Sequence, residues 1–193
     1  MTRPAIPTVF LLFAGVVMLA WSCATLAQIP DRASQYRRDL TRQARLVWGL
    51  DAPVASFAAQ IHQESGWRPD ARSPYAHGLA QFTPATADWI GELDPALADA
   101  ATGNPVWALR ALVTYDKWLH ERVAGEPCPR MQLALRAYNG GLGYIRREIA
   151  SGKPCRAFRA EWACRENLDY PIRILRDLEP RYVLAGWGRG ACA

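Results

Sequence analysis

The stretch "DAPVASFAAQIHQESGWRPDARSPYAHGLAQFTPATADWIG" runs from Asp51 to Gly91 and decides how the chain is read. Val54, Phe57, Ala58 and Ile61 recur at i, i+3, i+4 and i+7, the spacing of one face of an α-helix. Asp51 is placed to N-cap that helix, Pro53 lies in its first turn, and Gly66 ends it. The stripe continues by three residues to Glu64, which sets an acid on the apolar face. A carboxylate there loses water, so its charged form is disfavoured and its pKa rises toward the range where it holds a proton at neutral pH. The simpler alternative for a lone acid is a surface pair with Arg68 or Arg72.

Working outward, Thr83 and Pro84 mark a second helix start with Trp89 and Ile90 on its apolar face, stopping near Asp94 and Pro95. "PVWALRALVTYDKWLHERV" is the longest amphipathic run, with Trp107, Leu109, Leu112, Tyr115 and Leu119 at helical spacing. "RMQLALRAYNGG" is a shorter helix halted by Gly140 and Gly141, and "LGYIRREI" restarts one. Upstream, "DRASQYRRDLTRQARLVWGLD" reads as an amphipathic helix with a basic outer face and apolar positions Tyr36, Leu40, Leu46 and Val47. Sustained β alternation is missing, so the fold class is mainly α.

The chain has 193 residues, half of them apolar, which allows one globular domain and a small addition. Arg3 is the only charge before Asp31, and "AIPTVFLLFAGVVMLAW" followed by "SCATLA" has the order of a secretory signal, with Thr25 and Ala27 placed for cleavage before Gln28. An uncleaved anchor is the alternative, because the uncharged run from Pro4 to Pro30 is long enough to span a bilayer. Both readings put the working part outside the cytoplasm, periplasmic and either free or anchored in the inner membrane, with any membrane contact through this segment.

Removing residues 1–27 takes Cys23 away and leaves Cys128, Cys155, Cys164 and Cys192. An even number in an exported chain implies two disulfides, with three pairings open. The resulting division is 1–27 signal or anchor, 28–150 helical domain, and 151–193 a Cys-rich helical extension packed on it and stapled by disulfides. No metal and no cofactor are expected: CxxC, HExxH and GxSxG are all missing, and His62, His77 and His120 are scattered. The formal charge of +5 reads either as solubility or as attraction to an acidic polymer such as a cell wall or nucleic acid, and Arg and Lys form no dense run, which gives nucleic acid little support.

Glu64-Ser65, then Ser73, Gly78, Leu79, Gln81, Pro84, Ala85 and Thr86, and finally Ala137, Tyr138, Asn139 and Gly141 follow one another in register. Together these blocks resemble the soluble-lytic-transglycosylase family of peptidoglycan enzymes, lysozyme-like in fold and related to goose-type lysozyme. The resemblance covers roughly Ala52 to Arg147, with a weaker echo at Tyr170. The chain departs from the pattern at Ala80, where Met is usual, at Phe82, where an aliphatic is usual, and at Tyr75 in a loop one residue short.

Carried over by position, the resemblance implies Glu64 as catalytic acid and base. It implies Ser65, Ser73 and Gln81 in the saccharide groove, Tyr138 orienting the Glu64 carboxyl, Asn139 supporting the groove, and Tyr170 facing the glycan or its peptide. The implied partner is the peptidoglycan glycan strand, cleaved between N-acetylmuramic acid and N-acetylglucosamine with a 1,6-anhydro end. The implied setting is local wall opening for a secretion or conjugation apparatus. Most glycosidases need two flanking acids, whereas this chemistry needs one, and Asp70 reads as a loop-shaping residue. A glycan-gripping assembly factor with little or no catalysis is the competing reading, motivated by the altered "GLAQF" loop.

Overall fold

A computed structural model describes residues 29–192; the expected signal or anchor segment lies outside them. A 3-10 turn at Asp31–Tyr36 leads into α1 (Arg37–Trp48), followed by α2 (Val54–Ser65), α3 (Pro84–Leu93), α4 (Pro105–His120), α5 (Pro127–Gly140) and α6 (Leu142–Ser151). Then come α7 (Glu161–Pro171), a π-helical segment at Ile172–Leu178, and α8 (Glu179–Leu184). Among the described residues, extended pairing is limited to isolated bridges of His77 with Arg72 and Phe82.

Helix α2 is the centre of the molecule. Every residue from Val54 to Ile61 is buried, which explains why its apolar stripe looks broader than one face. It packs against α1, α8 and the π segment, while α4 packs on α1 and α5, and α5 on α7. Phe57, Ile61, Trp67, Leu109, Leu112, Tyr170, Ile174 and Tyr182 share one core, so residues after 160 are part of it. Among the described residues this core is continuous, and two disulfides form.

Helix ends follow the sequence at most points. Thr83 caps α3 by accepting from the Thr86 amide at 3.2 Å, Asn104 caps α4, and Gly66 takes the left-handed conformation after α2 at φ 58°. Two expectations are corrected. Asp51 does not cap α2: Pro53 occupies the N-cap position, and the Asp51 carboxylate lies in solvent 3.8 Å from Arg189. Leu46, expected on the apolar side of α1, is 64 % exposed, because it lies one turn beyond Arg42 on the outer face. The cysteines pair as Cys128 with Cys192 and Cys155 with Cys164.

Candidate active site

A cleft of about 320 Å³ opens at the C-terminal end of α2. Its lining comes from Glu64, from the loop that runs to α3, from Tyr115 on α4, and from Tyr138 and Asn139 on α5. Glu64 is the one acid in that lining, and Asp70 stays exposed outside it.

The helical phase read from sequence sends the Glu64 side chain to the core side, where protein encloses its carboxyl. Burial pushes its pKa from the ordinary 4.5 up to about 7. The Tyr170 hydroxyl, which donates to Oε1, opposes that shift; Glu166 adds to it and Arg173 subtracts. At neutral pH both protonation states are therefore accessible, as a group that gives a proton and takes one back requires.

The tyrosines divide the work differently from the sequence expectation. Tyr170, buried at the end of α7, makes the hydroxyl contact with Glu64 that was expected of Tyr138. Tyr138 donates instead to the carbonyl of Ala80 at 2.6 Å, tying α5 to the cleft loop. Their rings lie parallel, 9° apart in plane and 6.4 Å between centroids. Burial, with Glu64 nearby, holds both phenols well above their ordinary pKa, so both remain donors.

Ser65 is also corrected: it is buried, donates to the Ile61 carbonyl at 3.2 Å, and does not reach the cleft. A serine in a last helical turn bonds back to the i−4 carbonyl when its side chain faces the core. Ser73 and Gln81 line the cleft, yet they also hold its shape. Ser73 Oγ accepts from the Ala76 amide at 3.0 Å, and Gln81 Nε2 donates to the carbonyls of Gly78 at 2.9 Å and Ala71 at 3.2 Å. Asn139 lines the cleft with its Oδ1 accepting from Asn167 Nδ2 at 3.2 Å.

Gly78 is required here: its φ is +76° and the Thr102 carbonyl fills the place of a side chain. Ala80 and Phe82, two of the departures from the family pattern, are both buried, with Phe82 edge-on to Trp107.

Asp116 escaped the sequence reading. It is fully buried on α4, its Oδ1 accepts from Gln60 Nε2 at 3.3 Å, and its Oδ2 has no partner among the described residues. Burial first, then the Glu64 charge, holds its pKa well above the carboxylate range, so a neutral acid lies behind the cleft. Spacing gave a signal: Asp116 falls four residues after Leu112 and three before Leu119, on the apolar face. Among the described residues, no cluster of three or more His, Cys, Asp or Glu side chains is arranged to hold a metal ion.

A model of the transglycosylase SLT domain family matches residues 42–155, which include Glu64, the cleft loop, Tyr115, Tyr138 and Asn139. The crystal structure of the 70 kDa soluble lytic transglycosylase of Escherichia coli aligns with a TM-score of 0.61 at 20 % identity, over 80 % of this chain and 25 % of that one. The likeness at this identity is one of fold, and the chain spans about a quarter of that protein's length. No curated protein sequence matches the chain. With a matching segment that covers more than half of its residues and contains the cleft, the chain belongs to the transglycosylase SLT domain family.

Proposed function

We propose that the protein is a peptidoglycan lytic transglycosylase in which Glu64 supplies both proton transfers. The observation that carries this reading is a single carboxyl at the end of a cleft, enclosed enough to stand near pKa 7 and held by Tyr170. Protonated Glu64 donates to the glycosidic oxygen between N-acetylmuramic acid and N-acetylglucosamine, and that bond breaks. The carboxylate then takes the proton of the muramyl C6 hydroxyl, whose oxygen closes on C1 to give the 1,6-anhydro end. Glu64 is left protonated, ready for the next bond, and water enters no step.

The Tyr170 hydroxyl suits the half of this cycle in which Glu64 is charged, because a donor stabilises the carboxylate that has just lost its proton. Two-acid hydrolysis fits the site less well: Asp116, the buried acid behind it, lies outside the cleft lining and is not open to a water there.

The expected site of action is the wall outside the cytoplasm, and the finer role is local opening for a secretion or conjugation machine, which the genes flanking this one test. The assembly-factor reading keeps part of its motive: Ala80 acts through a carbonyl that any residue supplies, whereas Phe82, though buried, also lines the cleft.

The deciding experiment is mass spectrometry of fragments released from purified peptidoglycan. Anhydro-muramyl ends support the proposal; reducing ends, one water heavier, would show a hydrolase. Tight wall binding with no fragments would instead support the assembly factor.

A further inference from the structure

The arginines look dispersed along the sequence, but the fold collects several of them on one face. Arg38, Arg42 and Arg45 stand at i, i+4 and i+7 on α1, and all three are exposed. Arg37 lies beside them, its Nη2 donating to the Gly186 carbonyl and its guanidinium 5.8 Å from the Trp187 ring centroid. A shallow surface hollow of about 560 Å³ runs between this helix and the Gly186–Gly188 segment. Asp39, 2.9 Å from Arg42, is the acid paired with these residues among the described ones. The face shares no lining residue with the cleft at Glu64.

Exposed leucines lie close in sequence to the residues of the basic face. Leu46, one turn beyond Arg42, is 64 % exposed, Leu50 just after α1 is 86 % exposed, and Leu184 at the end of α8 is 72 % exposed. Exposed leucines beside a row of arginines fit an interface that is anionic at its surface and apolar a few ångströms deeper. A nucleic acid or an acidic wall polymer would use the charge but leave the leucines in water. Chain order points the same way: the uncharged, mostly apolar run from Pro4 to Pro30 ends one residue before the turn that leads into α1.

We propose that this face docks on an anionic phospholipid surface, with Arg37, Arg38, Arg42 and Arg45 on the headgroups and Leu46, Leu50 and Leu184 dipping beneath them. The attraction is electrostatic at range and screened by salt, while the leucines add a part that salt does not remove. Docking is independent of glycan cleavage and leaves the cleft's own residues uncommitted.

The test uses residues 28–193, the form that the expected cleavage before Gln28 leaves, in co-sedimentation with lipid vesicles. The protein is expected to pellet with phosphatidylcholine vesicles containing phosphatidylglycerol, to stay free of pure phosphatidylcholine, and to dissociate in part as salt rises. Arg38→Glu with Arg42→Glu should weaken binding by about tenfold or more, and Leu46→Asp by less. Arg146→Glu with Arg147→Glu, an equal charge change on α6, should leave binding as it was.

If the reversals on α1 perturb the far-ultraviolet circular dichroism, Arg38→Gln with Arg42→Gln takes their place. Equal binding to both vesicle types would overturn the proposal, as would equal loss from reversals on α1 and α6. So would duplex DNA that binds through the same arginines and displaces the vesicles.

Discussion

The two ends of helix α2 each hold a buried glutamate contact, and they put the same chemical group to opposite uses. At the N-terminal end, the Ser56 hydroxyl donates to Glu179 of α8, and the carboxylate also accepts from the amides of Ala191 at 3.1 Å and Cys192 at 3.3 Å. At the C-terminal end, Glu64 receives one hydroxyl, from Tyr170, and faces a cleft. Three donors make Glu179 a latch that fixes the tail beside the Cys128–Cys192 bridge. Burial beside an open cleft, with one donor, leaves Glu64 able to exchange a proton. Which chain segment arrives at each end of α2 separates a strut on α8 from a reagent on α2 itself.

The contrast breaks most sharply at Glu64. Glu64→Gln should lower glycan cleavage by roughly 10²–10⁴-fold, the usual worth of a general acid. The same change should stabilise the fold at high pH. The folded pKa, about 7, lies above the ordinary 4.5, so the stability this group contributes is complete below about pH 4.5 and is lost as pH rises through about 7. Thermal melts should therefore show the Gln variant ahead by about 3 kcal/mol near pH 8 and level with wild type near pH 4. A Gln variant that retains cleavage would remove Glu64 from the mechanism.

Glu179→Ala probes the other end. It strands the Cys192 amide and the Ser56 hydroxyl, while the Ala191 amide keeps Ser56 Oγ at 2.9 Å, and should cost about 2 kcal/mol in denaturant unfolding, with cleavage per folded molecule unchanged. If cleavage falls in proportion, the two ends are one unit and the contrast fails. Tyr170→Phe is the finer test. Losing the donor to the carboxylate should slow cleavage by about tenfold and move the high-pH fall in rate upward from about 7, since that hydroxyl holds the Glu64 pKa down. A pH profile with an unmoved limb would mean that Tyr170 only packs.

The place of Glu64 was legible in sequence because three linked signals coincide: an acid in phase with Val54, Phe57 and Ile61, a helix stop at Gly66, and a loop of turn residues. Local capping at Thr83 and the mainly helical fold were readable for the same reason, since short-range chemistry decides them.

What escaped depends on contacts between distant segments. Tyr170 and Glu64 are separated by 106 residues, and nothing local in "ENLDYPIRIL" says which of Tyr138 and Tyr170 arrives at the carboxyl. Ser65 was misplaced because motif adjacency to Glu64 does not fix its direction, and a helix turns each successive side chain by about 100°. The pairing of the cysteines is settled by the path of the tail, which Glu179 holds. Asp116 was readable in principle, by the argument used for Glu64, but it lacked a neighbouring loop to draw the eye.

The π-helical segment between Tyr170 and Tyr182 has a consequence for alignment. Both tyrosines meet α2 and its exit, Tyr170 at Glu64 and Tyr182 at His62 and Trp67. Their separation of twelve residues would leave them about a third of a turn out of phase on a uniform α-helix. The wider i→i+5 turns of Ile172–Leu178, which begin right after Pro171 loses its helical amide bond, take up that angular error. The segment thus works as a gear between two contacts, and its length in residues is a tolerance on the aim of the Tyr170 hydroxyl. Adding or deleting one residue there would keep every side chain named above and still turn one tyrosine away from its target.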